Sequence, residues 1–181
     1  MKSLTLLGLS FPLLALAGGP VVSGLKTGEA ISAFHPTHLS GPLAKSTNCF
    51  PCTFQNRPQV QAWIHGDDPA NVGAIAKVLD TAMESHKNKE FKALIVVLYT
   101  PAEKASAEAL AKSIPTKFGA NRVGVALLPT TSSAVADYKI NLDAKNTIVA
   151  YKNWKVTKNW TNALAKTDAA GLNAEIARIS G

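Results

Sequence analysis

The chain has 181 residues, 46% of them hydrophobic, and its 19 Lys and Arg outweigh 12 Asp and Glu for a formal charge of +7. That length suits one domain with a real core. The lysines are scattered and arginine is scarce, so the bidentate phosphate contacts of a nucleic-acid binder are poorly supplied and the charge reads as a soluble basic surface, with loose attraction to anionic cell-envelope surfaces.

The first residues predict an export signal over 1–17. Lys2 supplies the positive start, Leu4 to Ala17 the apolar stretch, and Ala15 and Ala17 the small residues of a cleavage site before Gly18. The stretch falls short of the roughly 20 apolar residues a membrane span needs, and Gly8 and Pro12 interrupt it. No later stretch is long and apolar enough to cross a bilayer, and the residue directly after the cleavage site is Gly18 and not the cysteine of a lipoprotein signal. The expected location is therefore exported, periplasmic or secreted, where a disulfide persists.

From residue 18 to 58 the chain is rich in Gly, Pro, Ser and Thr with little periodicity, which predicts an irregular lead-in. A strand is predicted within Arg57 to Gly66, followed by a helix that Asp68 caps and Pro69 opens, with Val72, Ile75, Leu79 and Met83 at helical spacing. Lys92 to Thr100 is a β-branched apolar run, as for a central strand buried on both faces. Thr100 and Pro101 open a second helix running to about Ser113. Arg122 to Pro129 predicts a strand, and Ala134, Val135 and Tyr138 a short helix. Asn146 to Trp160 predicts a hairpin turning near Asn153, and Asp168 opens a terminal helix carrying Leu172, Ile176 and Ile179. Strands alternating with helices imply right-handed crossovers and a mixed sheet with helices on both faces.

This order resembles the thioredoxin fold, in particular its redoxin branch with an added helix and strand. "QAWIHGDDPANVGAIAKVLD" (61–80) is similar to the strand and long helix at that family's active-site end. "ADYKINLDAKNTIVAYKNWKV" (136–156) is similar to its helix end, the strand after its cis-proline, and its hairpin. The resemblance runs from about Gly28 to Ser180 and places a thioredoxin-like domain over 59–181. It implies an α/β mixed sheet and thiol–disulfide chemistry with a protein thiol or disulfide partner or a small oxidant. It also extends to exported bacterial proteins that carry a CxxC in a leading loop. Two departures touch the chemistry. In the family the CxxC follows the strand and caps the helix, where the helix terminus lowers a sulfur's pKa. Here "HGDDPAN" (65–71) stands in that place, and the family's cis-proline would fall near Asn146.

The only cysteines, Cys49 and Cys52 in "NCFPC", lie before the strand instead. Three readings stand. The pair could exchange disulfides, Pro51 restricting the backbone between the sulfurs, with Cys49 attacking and Cys52 resolving. It could be a permanent staple, although so short a loop gains less than the roughly 3 kcal/mol of a 15-residue one. Or it could join His35 and His38 of "HPTH" in a set of two imidazoles and two thiolates suited to zinc or copper. Outside that last reading no cofactor is expected.

Elsewhere His65, Asp67 and Asp68 gather at a strand's carboxyl end, where α/β folds place their sites. A general base or metal site is conceivable there. The simpler reading has Asp68 capping the helix, Asp67 favouring its dipole and His65 ending the strand. His86 suits the same helix's C-terminus. Trp154 and Trp160 among lysines could form a partner surface, or pack one on the core and one at its edge. Asn159 to Thr161 fits an N-glycosylation pattern. No phosphate-cradling glycine loop, nucleophile elbow or haem-attachment motif occurs.

Overall fold

A computed structural model describes residues 19–181, so the signal predicted over 1–17 lies outside the described residues. The elements run β1 (Thr37–Ser40), α1 (Phe50–Phe54), β2 (Gln59–Ile64), α2 (Pro69–Ser85), β3 (Lys92–Tyr99), α3 (Lys104–Thr116), β4 (Gly124–Pro129), α4 (Ser133–Asp137), β5 (Asn146–Lys152), β6 (Lys155–Thr161) and α5 (Ala165–Ser180). They build one six-stranded sheet in the order β1-β4-β3-β2-β5-β6. β2, β3 and β4 are mutually parallel, while β1, β5 and β6 pair antiparallel to their neighbours. The fold class is the one expected: a mixed α/β sheet with helices on both faces.

Alternation along the strands creates two cores, because successive side chains point to opposite faces. Ala93, Ile95 and Val97 of β3 face one core with the apolar sides of α2, α3 and α5. Leu94, Val96 and Leu98 face the other, with Phe50 of α1, Ala134 and Val135 of α4, and Leu25, Ile31 and Phe34 of the lead-in. This double burial is why β3 reads as an unbroken apolar run. It also explains why the lead-in is ordered despite its weak pattern. Three of its large side chains complete the second core, and Gly28 N–H and Val156 N–H exchange bonds with the Val156 and Glu29 carbonyls at β6.

Local signals set most boundaries. Asp68 caps α2, accepting from Ala70 N–H at 2.6 Å. Asn153 and Trp154, both at positive φ, form the two-residue hairpin loop between β5 and β6. Trp154 packs against the second core and Trp160 against the first. α5 begins at Ala165 and not at Asp168. Asp168 instead sits in the first turn, where its carboxylate accepts the Leu164 N–H at 2.9 Å. α3 continues past Ser113 to Thr116, with Pro115 near its end.

The lead-in contains two elements the pattern did not predict, β1 and the one-turn α1. Gly41 turns the chain between them at φ 81°, and a Cβ there would lie 2.6 Å from Gly124 Cα and 2.7 Å from the Val123 carbonyl oxygen. Those are backbone atoms at the entry to β4 and cannot swing aside. Gly41→Ala is expected to destabilise the fold by about 2 kcal/mol or more, read as a lowered urea midpoint; an unchanged midpoint would contradict the packing described.

Candidate redox site

Cys49 and Cys52 are joined in a disulfide with Cα atoms 5.2 Å apart. The sequence suggested no helix around the pair, but Cys49 is the N-cap of α1, and its Sγ accepts the Cys52 backbone N–H at 3.2 Å. Pro51 stands in the first turn, where its missing N–H costs nothing. Cys49 is 5% exposed, buried beside Phe50. Cys52 is exposed. A thiolate arriving from solvent therefore meets Cys52, while the Cys49 sulfur has a backbone donor waiting for it.

The helix is held from two sides. Phe50 lies fully buried in the second core and packs edge-on against Phe54 at 4.8 Å, and Lys92 Nζ lies 5.6 Å over the Phe54 ring. At its C-terminal end the Gln55 carbonyl accepts from Gln59 Nε2 at 2.9 Å. Gln59 Oε1 accepts from the Tyr151 hydroxyl at 2.7 Å, and that hydroxyl oxygen accepts from Gln61 Nε2 at 2.7 Å. Burial holds the Tyr151 phenol well above its ordinary pKa, so it stays a donor. This buried chain ties the carbonyl end of α1 to the centre of the sheet.

The two candidate histidines also serve this loop. His35 Nδ1 bonds the Thr47 carbonyl at 3.0 Å and His38 Nε2 the Asn48 carbonyl at 2.9 Å. A carbonyl only accepts, so each of those ring nitrogens carries the proton. His38 is 2% exposed, stacks near Phe50 and leaves Nδ1 without a partner. Both cysteine sulfurs are committed to each other, and among the described residues no group of three or more His, Cys, Asp or Glu is placed to hold a metal ion.

Burial pushes the His38 pKa below its ordinary 6.5, against a smaller opposing effect of the Asn48 carbonyl. The folded chain thus binds this proton less readily than the unfolded one. Stability is full above 6.5 and falls as pH drops from 6.5 through the folded-state value. His38→Gln, which keeps a donor for Asn48, is expected to flatten that part of the curve in urea titrations at stepped pH. An unchanged slope would show that His38 does not carry it.

The other sequence candidates lie at the opposite end of the sheet, beyond the carboxyl ends of β2 and β3. Asp67 is 9% exposed and anchors a closed network. Its Oδ1 accepts from Asp68 N–H at 2.8 Å, and its Oδ2 accepts from Asn71 Nδ2 at 2.9 Å and Asn146 Nδ2 at 2.6 Å. Asn146 Oδ1 accepts from Ala163 N–H at 2.8 Å, Asn71 Oδ1 from Ala165 N–H at 2.9 Å, and both side-chain amides also reach the Ala163 carbonyl. The network joins the start of α2, the start of β5 and the entry to α5. It is saturated, as a structural clamp requires. Sequence reasoning missed Asn71 and Asn146 as members; their one signal was the i, i+4 spacing of Asp67 and Asn71.

His65 keeps apart from this network. Its Nδ1 bonds the Leu142 carbonyl at 2.8 Å and its Nε2 lies 3.8 Å from Glu103 Oε2. The Glu103 carboxylate already accepts from the Thr100 hydroxyl and backbone, which hold its pKa low. The side-chain amide of Asn159, in the glycosylation pattern, donates to the Ser23 and Leu25 carbonyls.

No protein-family model matches this sequence, and no curated protein matches it. Solved structures do. A protein of Chlorobium tepidum assigned as a thiol:disulfide interchange protein DsbE superposes with a TM-score of 0.65 at 16% identity, covering 87% of this chain and 99% of its own. A secreted disulfide oxidoreductase of Mycobacterium tuberculosis, homologous to E. coli DsbE, gives 0.54 at 18% identity over 80% and 95%. A cysteine-to-serine mutant of PrxQ from Xylella fastidiosa gives 0.60 at 10% identity over 88% and 100%. The architecture is therefore thioredoxin-like.

Proposed function

We propose, on the premise of a thioredoxin-like fold, that this chain is an exported thiol–disulfide exchange protein using Cys49 and Cys52. The single observation that carries the proposal is the asymmetry of the disulfide: one sulfur's residue is exposed, the other buried at the N-cap with a backbone donor. Export rests on the residues 1–17 signal. Among the described residues no helix is long and apolar enough to cross a membrane.

A partner thiolate attacks Cys52 Sγ, the Cys49–Cys52 bond breaks, and the electron pair stays on Cys49 Sγ as a thiolate facing the Cys52 N–H. A thiolate hydrogen-bonded in this way is a better leaving group, because its pKa is lower. The partner's second thiol then attacks its own sulfur in the mixed disulfide and releases Cys52. The partner dithiol is oxidised to a disulfide and the protein's disulfide is reduced to a dithiol. In the reverse direction Cys52 attacks and Cys49 resolves. This exchanges the roles that chain order suggested, because burial withholds Cys49 from solvent.

The test is catalysed reduction of a protein disulfide by a small thiol, with wild type and the Cys49→Ser/Cys52→Ser double variant. Wild type is expected to accelerate the reaction and the double variant to leave it at the uncatalysed rate. Equal activity in the two would sink the proposal. A second reading, a non-catalytic binding module with a structural disulfide, draws its support from the Asp67 network, which fills the family's usual catalytic place with a clamp.

A further inference from the structure

One helical turn past Cys52, the surface opens into a groove of about 360 Å³. Gln55 and Asn56 line its near wall; Arg57, Lys89 and Lys152 are among the residues that line the rest, together with Pro58 and the last two residues, Ser180 and Gly181. Three different parts of the fold supply its cations: the link after α1, the 3-10 turn before β3, and the end of β5. Lys89 is exposed and Lys152 half-buried, and neither forms an ion pair among the described residues. Arg57 engages Glu90, Nε to Oε1 at 3.0 Å. Lys92, held over Phe54, adds a fourth cation beside α1.

Ser180 closes one side of the groove, but its hydroxyl is shut off from solvent and has no hydrogen-bond partner, so it offers an incoming group nothing directly. The groove's chemistry lies in its cations: the ammonium groups of Lys89 and Lys152, outside any ion pair among the described residues, suit a carboxylate.

We propose that this groove receives an acidic segment of the redox partner, with Asp or Glu side chains close in sequence to the reacting cysteine. The proposal rests on the exchange reading of the Cys49–Cys52 pair. Gln55, the residue that caps the C-terminal end of α1, follows exposed Cys52 by three residues and lines the groove. A partner thiol at Cys52 thus brings its flanking residues to the near wall of the groove that holds Lys89 and Lys152. Opposite charge at that position raises the encounter rate and rejects basic partners, and salt removes the effect.

The experiment uses the oxidised full mature chain and two synthetic dithiol peptides of equal length, one with Glu and the other with Lys around the cysteines. Reduction of the protein disulfide is read by alkylation and intact mass. Each rate is divided by the same peptide's rate with a small uncharged disulfide, which removes the effect of flanking charge on the thiol itself. The acidic peptide is expected to be favoured by about tenfold or more at low salt, as electrostatic steering gives. In 1 M salt the preference should vanish. Lys89→Glu/Lys152→Glu is expected to abolish or invert it. Lys145→Glu/Lys166→Glu changes the net charge equally at the other end of the sheet, where the Lys145 carbonyl bonds His65 and Ala165 meets Asn71, and should keep it.

Equal normalised rates in wild type, or equal loss in both double variants, overturn the groove while leaving exchange at Cys52 intact. Absence of reaction with either peptide overturns the exchange reading instead. The groove then stands or falls on anisotropy with the Cys-to-Ser acidic peptide: binding to wild type but not to Lys89→Glu/Lys152→Glu upholds it, and no binding overturns it.

Discussion

Replacing Asp67 with alanine is expected to lower stability by about 3 kcal/mol, because one carboxylate accepts three hydrogen bonds in a nearly closed site. Both amides keep the Ala163 carbonyl, so they are weakened and not wholly orphaned. The melting temperature should fall by roughly 6–12 °C for a domain of this size. Asp67→Asn keeps one acceptor oxygen and should lose less than Asp67→Ala. Thermal unfolding of both variants checks the order. A loss below about 1 kcal/mol in Asp67→Ala, the level of an ordinary surface change, would show that the network is not a clamp. Exchange chemistry at the other end of the sheet should survive in whatever fraction remains folded.

The second large effect concerns the single cysteine variants. Cys49→Ser leaves the exposed Cys52 as a free thiol, and Cys52→Ser leaves the buried Cys49. Alkylation of Cys49→Ser is expected to be roughly tenfold or more faster than that of Cys52→Ser, since reactivity follows access as well as thiolate character. Only Cys49→Ser should accumulate a stable mixed disulfide with a partner, because nothing remains to resolve it. Equal alkylation rates, or a faster Cys52→Ser variant, would return the attacking role to Cys49.

What was legible in the sequence follows the range of the interactions involved. β3 announced itself because both of its faces are buried from Ala93 to Leu98, which keeps polar residues out of that stretch. α2 announced itself through Asp68 and Pro69, a cap whose partners lie within two residues. The hairpin was legible at Asn153, although nothing marked Trp154 as a second residue at positive φ. β1 and α1 were missed for the opposite reason. β1 has four residues, with an irregular register between His38 and Ser40 against β4. α1 is a single turn whose order comes from burying Phe50, a tertiary effect with no periodicity to betray it.

The site divides in the same way. The CxxC spacing gave the pair, but its asymmetry of exposure depends on how Phe50 enters the second core. His35 and His38 stood out as potential ligands; what they bond is the carbonyls of Thr47 and Asn48, which no side-chain pattern encodes. Asn146 was noticed only as a missing proline. Its partner Asp67 lies 79 residues away in sequence, and a contact at that distance leaves no trace in a single chain.

The central claim is that the Cys49–Cys52 disulfide is exchanged and not permanent. Its most direct test is a redox titration of the purified mature protein in glutathione buffers, trapped by alkylation and read by intact mass. A midpoint between about −120 and −270 mV is expected, the range of exchange-active pairs. A midpoint below about −300 mV would mark a permanent staple and contradict the claim.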